Sequence, residues 1–171
     1  MTIYMVEQWF ARADWEQEWS DWYNGNLNVL LAVPGFRSAQ RFRNVGEKPL
    51  YLAIYTVDSP AVFQTQTYIH AGGNGANSAR FRPAYQMWKR NLFDDNASAT
   101  PVDTGKYLLV EDVVDASVPP RPGARRLPCT GMHQTTAFRD LTVLLEPVGA
   151  LSANTVCYRP QAPMLGQLYK D

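Results

Sequence analysis

Cysteine and histidine are scarce in this chain, with two of each in 171 residues. Cys129 and Cys157 cannot build a disulfide framework, and no CxxC or His/Cys spacing suits zinc. The two could pair with each other, but free buried thiols are the expectation. An excess of charge of one sign is also missing. Lys plus Arg and Asp plus Glu number 16 each, so the net charge is zero. A nucleic-acid partner or an anionic membrane surface would favour a clustered positive excess, and neither partner is expected. No apolar run approaches the ~20 residues of a membrane span. Residues 1–7 carry no basic stretch and reach a carboxylate at Glu7, unlike a signal peptide, so a cytoplasmic location is expected. There is no GxSxG, no HExxH and no Cys–His nucleophile motif. Gly72-Gly73-Asn74-Gly75 lacks both the spacing and the preceding strand of a dinucleotide fingerprint.

What is present is ordinary globular material, 46% apolar and 19% charged. A chain of this size buries about 68–70% of its unfolded surface and needs no covalent staple. Residues 3–9 are rich in aromatic and β-branched side chains and predict a strand. A helix is expected from Asp14, with Glu16 and Glu18 in its first turns. Trp15, Trp19, Trp22 and Tyr23 then recur on one helical face, Leu27, Leu30 and Leu31 extend it, and Pro34-Gly35 ends it. This aromatic stripe either packs on a sheet or walls a ligand pocket.

Residues 36–45 alternate, with Phe36, Ser38, Gln40 and Phe42 on one face and Arg37, Ala39, Arg41 and Arg43 on the other. A short polar turn through Gly46-Glu47-Lys48-Pro49 leads to a strand at 50–57, making an antiparallel hairpin. Ser59-Pro60 offers an N-cap and a first helical position for a short helix ending near His70. A flexible glycine-rich loop, readable as a lid, follows at 71–77, then a strand at 85–93. The order strand, helix, strand, strand, helix, strand is the split βαβ pattern of ferredoxin-like folds.

The second half reads as a worn copy. Residues 107–111 echo 3–7, residues 131–140 echo 35–44, residues 141–148 echo 50–57, and 154–159 can serve as a last strand. The first helix has no counterpart, because Pro119, Pro120 and Pro122 interrupt its place. The fold class expected is therefore α+β, a tandem duplication of ferredoxin-like halves with a degenerate second half lacking the first helix. Residues 1–94 form the first half, 95–105 a linker and 106–171 the second half packed on it. Glu7 and Glu111 would then be pseudo-equivalent. Two sheets each covered by helices on one face can cover one another, within one chain or between two.

The run Trp19-Ser20-Asp21-Trp22-Tyr23-Asn24, then Leu30-Leu31-Ala32-Val33-Pro34-Gly35-Phe36, Arg41-Phe42-Arg43 and Tyr51-Leu52-Ala53-Ile54-Tyr55 resembles the dimeric α+β barrel superfamily, in its EthD-like and related bacterial branch. The resemblance covers residues 2–93 and implies a homodimer or an internally closed equivalent. Members of this branch often carry Trp-Tyr-Asn, two residues, then a His late in the first helix. Counting back from Val33-Pro34-Gly35-Phe36, the matching position is Asn26, with Gly25 standing where two residues are common. Asn cannot titrate near neutral pH; it can only orient and hydrogen-bond.

The resemblance implies an enzyme from a range of isomerases, cyclases, lyases and monooxygenases that often work without a metal. The expectation is metal-free proton transfer (isomerisation, dehydration or elimination) on a small, partly aromatic acid or polyketide-like substrate. His70 or Glu7 would be the acid/base and Asn26 and Tyr23 would orient the substrate. His70 reads equally as a favourable helix C-terminal charge. Glu7 either has its pKa raised by burial or pairs with Arg37, Arg41 or Arg43. Trp22, Tyr55, Tyr85 and Trp88 offer rings and polar tips to a substrate, and Arg80 an anion contact. His133 is either a further contact or a satisfied structural histidine. The alternative is a non-catalytic small-molecule binder using the same pocket. No cofactor is expected; haem, which occurs in the superfamily, would need His70, His133 or one of a few weaker residues as axial ligand.

Overall fold

A computed structural model of the chain describes residues 1–48, 50–93, 96, 98–149 and 151–166. Strand β1 (Thr2–Phe10) leads through a 3-10 turn (Ala13–Trp15) into α1 (Glu16–Leu31). β2 (Phe36–Asn44) and β3 (Leu50–Val57) form the hairpin, and α2 (Gln66–His70) follows a 3-10 turn (Pro60–Gln64). Ser59 caps that turn through its side chain, with Pro60 in the first position. A 3-10 stretch (Gly73–Ala84) leads to β4 (Tyr85–Phe93). The rest is all strand: β5 (Tyr107–Val113), β6 (Arg125–Met132), β7 (Phe138–Leu144), β8 (Thr155–Pro160) and the short β9 (Leu165–Gly166).

The first eight strands pair antiparallel in a closed ring, β1-β4-β6-β7-β5-β8-β2-β3 and back to β1. β9 extends the line of β8 along β2. The first four strands stand in the order β2-β3-β1-β4 and the second four in the order β6-β7-β5-β8, the same order shifted by four. Two seams join them, β4 to β6 and β2 to β8. One chain closes its own barrel, and no second copy is needed to cover the sheet.

The echoes are only partly placed as expected. Residues 131–140 are not one strand: they hold the end of β6, a turn and the start of β7. The strand that occupies the place of β2 is Arg125–Met132, immediately after the proline-rich segment. Neither α1 nor α2 has an α-helical counterpart among the described residues of the second half. Residue 94 at the end of the expected first half, residues 95 and 97 of the expected linker and Pro49 of the hairpin turn lie outside the described residues.

Alternation along each strand divides the apolar side chains into two cores. Ile3, Met5, Phe42, Leu52, Ile54, Phe93, Leu108, Val110, Leu127 and Tyr158 meet in one cluster, and Leu141 packs against it. All eight ring strands contribute, so this cluster is the barrel interior. Tyr4, Val6, Phe10, Ala39, Tyr51, Ala53 and Tyr55 form the other, under α1, which buries Trp19, Tyr23, Leu27, Leu30 and Leu31 against them. Phe36 joins this outer core with Ala39, not the inner core with Phe42. A register shift between Phe36 and Ser38 inverts the parity that simple alternation predicts.

The interior also holds charge. Arg139 is fully buried and reaches Glu7 Oε2 at 2.7 Å and Asp112 Oδ1 at 2.7 Å, linking β7 to β1 and β5. Glu7 thus pairs with none of its expected partners: Arg37 pairs with Asp58, Arg43 with Glu16, and Arg41 lies on the outer face. Glu111 is not the counterpart of Glu7 either. In β1 the inward residues are Ile3, Met5 and Glu7, whereas in β5 they are Leu108, Val110 and Asp112, so the matching carboxylate is Asp112. Glu111 points outward to Arg121. Burial pushes the Asp112 carboxyl up, and Arg139 opposes the shift.

Removing Arg139 leaves the buried Glu7 and the half-buried Asp112 without their cation, which costs about 3–5 kcal/mol. Arg139→Leu is expected to lower the urea midpoint accordingly. A triple variant, Glu7→Leu with Arg139→Met and Asp112→Leu, is expected to recover most of the loss. A single-variant loss under 1 kcal/mol would show that the triad contributes little to closure.

Candidate functional site

The outer face of β1, β3 and β4 forms the floor of a small pocket beneath α1. β1 supplies Tyr4, Val6 and Gln8, every second residue, and β4 supplies Trp88 and Arg90 by the same rule. Trp22, Tyr23, Asn26 and Leu30 descend from α1 and Tyr55 rises from β3. The volume is about 50 Å³.

The roof is the glycine-rich segment expected to be a flexible lid, and it is tightly packed. A Cβ on Gly73 would lie 2.5 Å from Tyr68 Cε1, and one on Gly75 would lie 2.8 Å from the Trp88 ring. Gly72 and Gly75 have φ of +81° and +77°, in the left-handed region. The Asn74 N–H donates to Tyr68 Oη at 3.1 Å, and Asn77 Nδ2 donates to Asn26 Oδ1. The Asn26–Asn77 contact separates the pocket from an outer groove of about 630 Å³, which shares Trp22, Asn26, Gly72 and Asn77 with it and includes His70.

The pocket is rich in donors and poor in bases. Burial pushes the Tyr23 phenol up to about 12 and those of Tyr4 and Tyr55 well above 10. These phenols stay protonated at neutral pH and can donate. Among the described residues no carboxylate and no imidazole lines the pocket. The Tyr55 hydroxyl lies beside that of Tyr23 but makes no hydrogen bond of good geometry. Arg90 Nε is likewise buried without an acceptor, while its Nη1 donates to Asn74 Oδ1 at 3.2 Å and its guanidinium lies over the Trp88 ring. Behind Tyr23, Arg41 is buried in a cage of Trp19, Tyr23 and Tyr51, each ring centroid 4.7–4.8 Å away. Its Nη1 bonds Ser20 and Asn24 of α1 and ties the helix to the sheet.

Of the residues singled out in sequence, Tyr23, Asn26, Trp22, Tyr55 and Trp88 converge on this pocket. The others do not. Glu7 lies inside the barrel on Arg139, on the opposite face of β1. His70 ends α2 in the outer groove. Arg80 pairs with Glu18 at 2.9 Å on the surface. Tyr85 Oη accepts from Trp19 Nε1 at 2.9 Å within the outer core. His133 caps the pocket wall from outside: its Nδ1 accepts from the Arg90 N–H and its ring meets Trp88 edge-on. Tyr4, Tyr68 and Arg90 were missed. Strand alternation from Glu7 and Trp88 already put Tyr4 and Arg90 on definable faces, but only the tertiary structure shows which face is covered. Neither histidine lines the pocket, so among the described residues it offers a haem no axial imidazole.

A phenol whose pKa is raised on folding contributes stability that is complete below pH 10 and is lost as pH rises toward its folded value. Urea stability is therefore expected to fall steeply above pH 10, with Tyr23 alone accounting for about 2–3 kcal/mol by pH 12. Tyr23→Phe should flatten the decline; an unchanged slope would mean that Tyr23 titrates as an exposed phenol.

No protein-family model matches the chain, and no curated protein matches it. Solved structures do. An anthrone oxidase-like protein aligns with a TM-score of 0.63 and 10% identity over 98% of this chain and 94% of its own. A candidate monooxygenase from Fusobacterium nucleatum subsp. nucleatum aligns at 0.59 and 9% identity over 99% and 98%. A candidate chlorite dismutase aligns at 0.56 and 10% identity over 95% and 96%. At these identities the likeness shows the fold alone, a closed antiparallel barrel of α+β class.

Proposed function

We propose that this chain is a small-molecule enzyme that holds a planar, partly aromatic or polyketide-like substrate in the pocket as its enolate or phenolate. One observation carries the reading. Tyr55 Oη and Arg90 Nε are buried donors without acceptors, and both residues line the same pocket. Buried donors are normally paired, so an oxygen anion supplied by a ligand is the missing partner. Trp22 and Trp88 provide faces for a flat ring, and Asn26 can orient its oxygen. A volume of 50 Å³ is well below the ~300–1,000 Å³ of small-molecule sites, so a substrate must part Asn77 from Asn26 and join the pocket to the outer groove.

The chemistry that suits this wall is oxidation of a preformed anion by dioxygen, in which an enolisable methylene R₂CH₂ and O₂ give R₂C=O and one water. Isomerisation or elimination needs a positioned base, and His70 could act only from the outer groove. The descriptions of two fold neighbours, anthrone oxidase-like and candidate monooxygenase, point toward oxygen chemistry. The matching strand orders of the two halves support descent from a duplicated ferredoxin-like unit whose second copy lost both helices. A second reading, a non-catalytic binder, is favoured by the lack of a near-neutral titratable group in the pocket.

An oxygen electrode and a thermal-shift assay, run with anthrones, naphthols and 1,3-diketones, separate these readings. Turnover should consume one O₂ per product, and Tyr55→Phe should lower kcat/KM about 10²–10³-fold. Because the hydroxyl has no good partner to lose, the same variant should keep or raise the Tm. Ligand-induced stabilisation without oxygen uptake would establish a binder. No shift with any of the three classes would overturn the pocket assignment.

A further inference from the structure

The strand arginines differ in how their charge is met. Arg139 has Glu7 and Asp112, Arg126 has Asp140, and Arg43 has Glu16. Arg41 of β2 and Arg90 of β4 pair with no carboxylate among the described residues. Both stand at the same pocket: Arg90 lines it, and Arg41 lies behind Tyr23, which lines it too.

Arg41 is the more deeply buried of the two, 2% exposed. Only its Nη1 is bonded, to the Ser20 carbonyl and hydroxyl and to Asn24 Oδ1; Nε and Nη2 are buried without an acceptor. The faces of Trp19, Tyr23 and Tyr51 stand where a counter-ion would. Glu16, which shares Tyr51 with this cage, is engaged by the Tyr51 hydroxyl and by Arg43 Nε at 3.3 Å. A buried cation without a counter-ion is costly. A neutral donor would bond Ser20 and Asn24 as well, so the tie to α1 does not account for the charge.

The charge has a use if an anion binds nearby, because a water-poor interior screens its field little. The Tyr23 and Tyr55 phenols already feel it: burial raises both, and Arg41 opposes the rise. The other titratable groups lining the pocket are Tyr4, Tyr68 and Arg90, and none of these is acidic at neutral pH. We propose that Arg41 is a positioning residue that makes the pocket select the ionised form of its ligand, by fixing a positive charge behind the Tyr23–Tyr55 pair. The inference rests on the reading of the pocket as an oxyanion site, and adds to that site a residue outside its lining.

The test uses 4-nitrophenol, a flat phenol whose anion alone absorbs visible light, titrated with pH in the presence of excess protein. Bound to the native chain it should ionise at lower pH than when free. Arg41→Gln should raise the bound midpoint by about one pH unit, a tenfold loss of preference for the anion. Should Arg41→Gln fail to fold, Arg41→Met, whose apolar stem fills the ring cage, should give the same rise. Arg41→Lys keeps the charge and should hold the ionisation constant within about threefold of native. A residue that only fastened the helix would weaken binding without moving the midpoint. A midpoint unmoved in the neutral variants, or raised equally by Arg41→Lys, would overturn the role of Arg41 and leave the pocket reading standing. Absence of 4-nitrophenol binding at millimolar concentration, or binding indifferent to Tyr55→Phe, would overturn the pocket reading and this inference with it.

Discussion

Closure of the sheet on itself is the constraint from which the rest follows. Once β4 pairs with β6 and β2 with β8, the eight ring strands have no free edge and enclose a space filled mainly by their own side chains, with Ala99 and Val102 from the segment before β5. Each strand must then send alternate residues inward, and those residues must come from both halves. Arg139 expresses this requirement most sharply. It is a cation in β7 that is neutralised because the neighbouring β5 brings Asp112 beside it and β1, from the other half, brings Glu7. The two halves therefore share one interior.

Closure also decides where a site can form. The inner face of β1 and β3 is committed to the barrel, leaving their outer face to be covered by α1 and the segment after α2. Aromatic side chains dominate that cover, and Arg41 fastens the helix to β2 without a carboxylate partner. Large flat rings meeting at fixed angles leave a gap, and the gap is lined by phenols that burial keeps protonated. The roof closes it because three glycines lie against side chains that leave no room for a Cβ.

The Trp19/Tyr23 stripe, the Ser59-Pro60 start, the hairpin and the strand at 85–93 were legible because each signal is local: a period of 3.6, a cap, a period of two. The second half was less legible for the same reason. Its described residues hold no α-helix, only short strands, and a one-residue offset in an alternating pattern moves a side chain to the other face. That offset makes Asp112, not Glu111, the partner of the cluster around Arg139. A bulge at Phe36 likewise defeated the alternation read through β2.

Sequence by itself determined the elements of the first half, the α+β class and the members of the aromatic stripe, because these follow from propensity and periodicity within a few turns of chain. Tertiary structure alone decided that the barrel closes within one chain and that Glu7 meets Arg139. It also decided that Tyr4 and Arg90 join Tyr23, Asn26 and Tyr55 while His70 and Arg80 stay outside. Those outcomes depend on which strands become neighbours across more than a hundred residues. Such pairing is set by the packing of two whole faces and by no local signal.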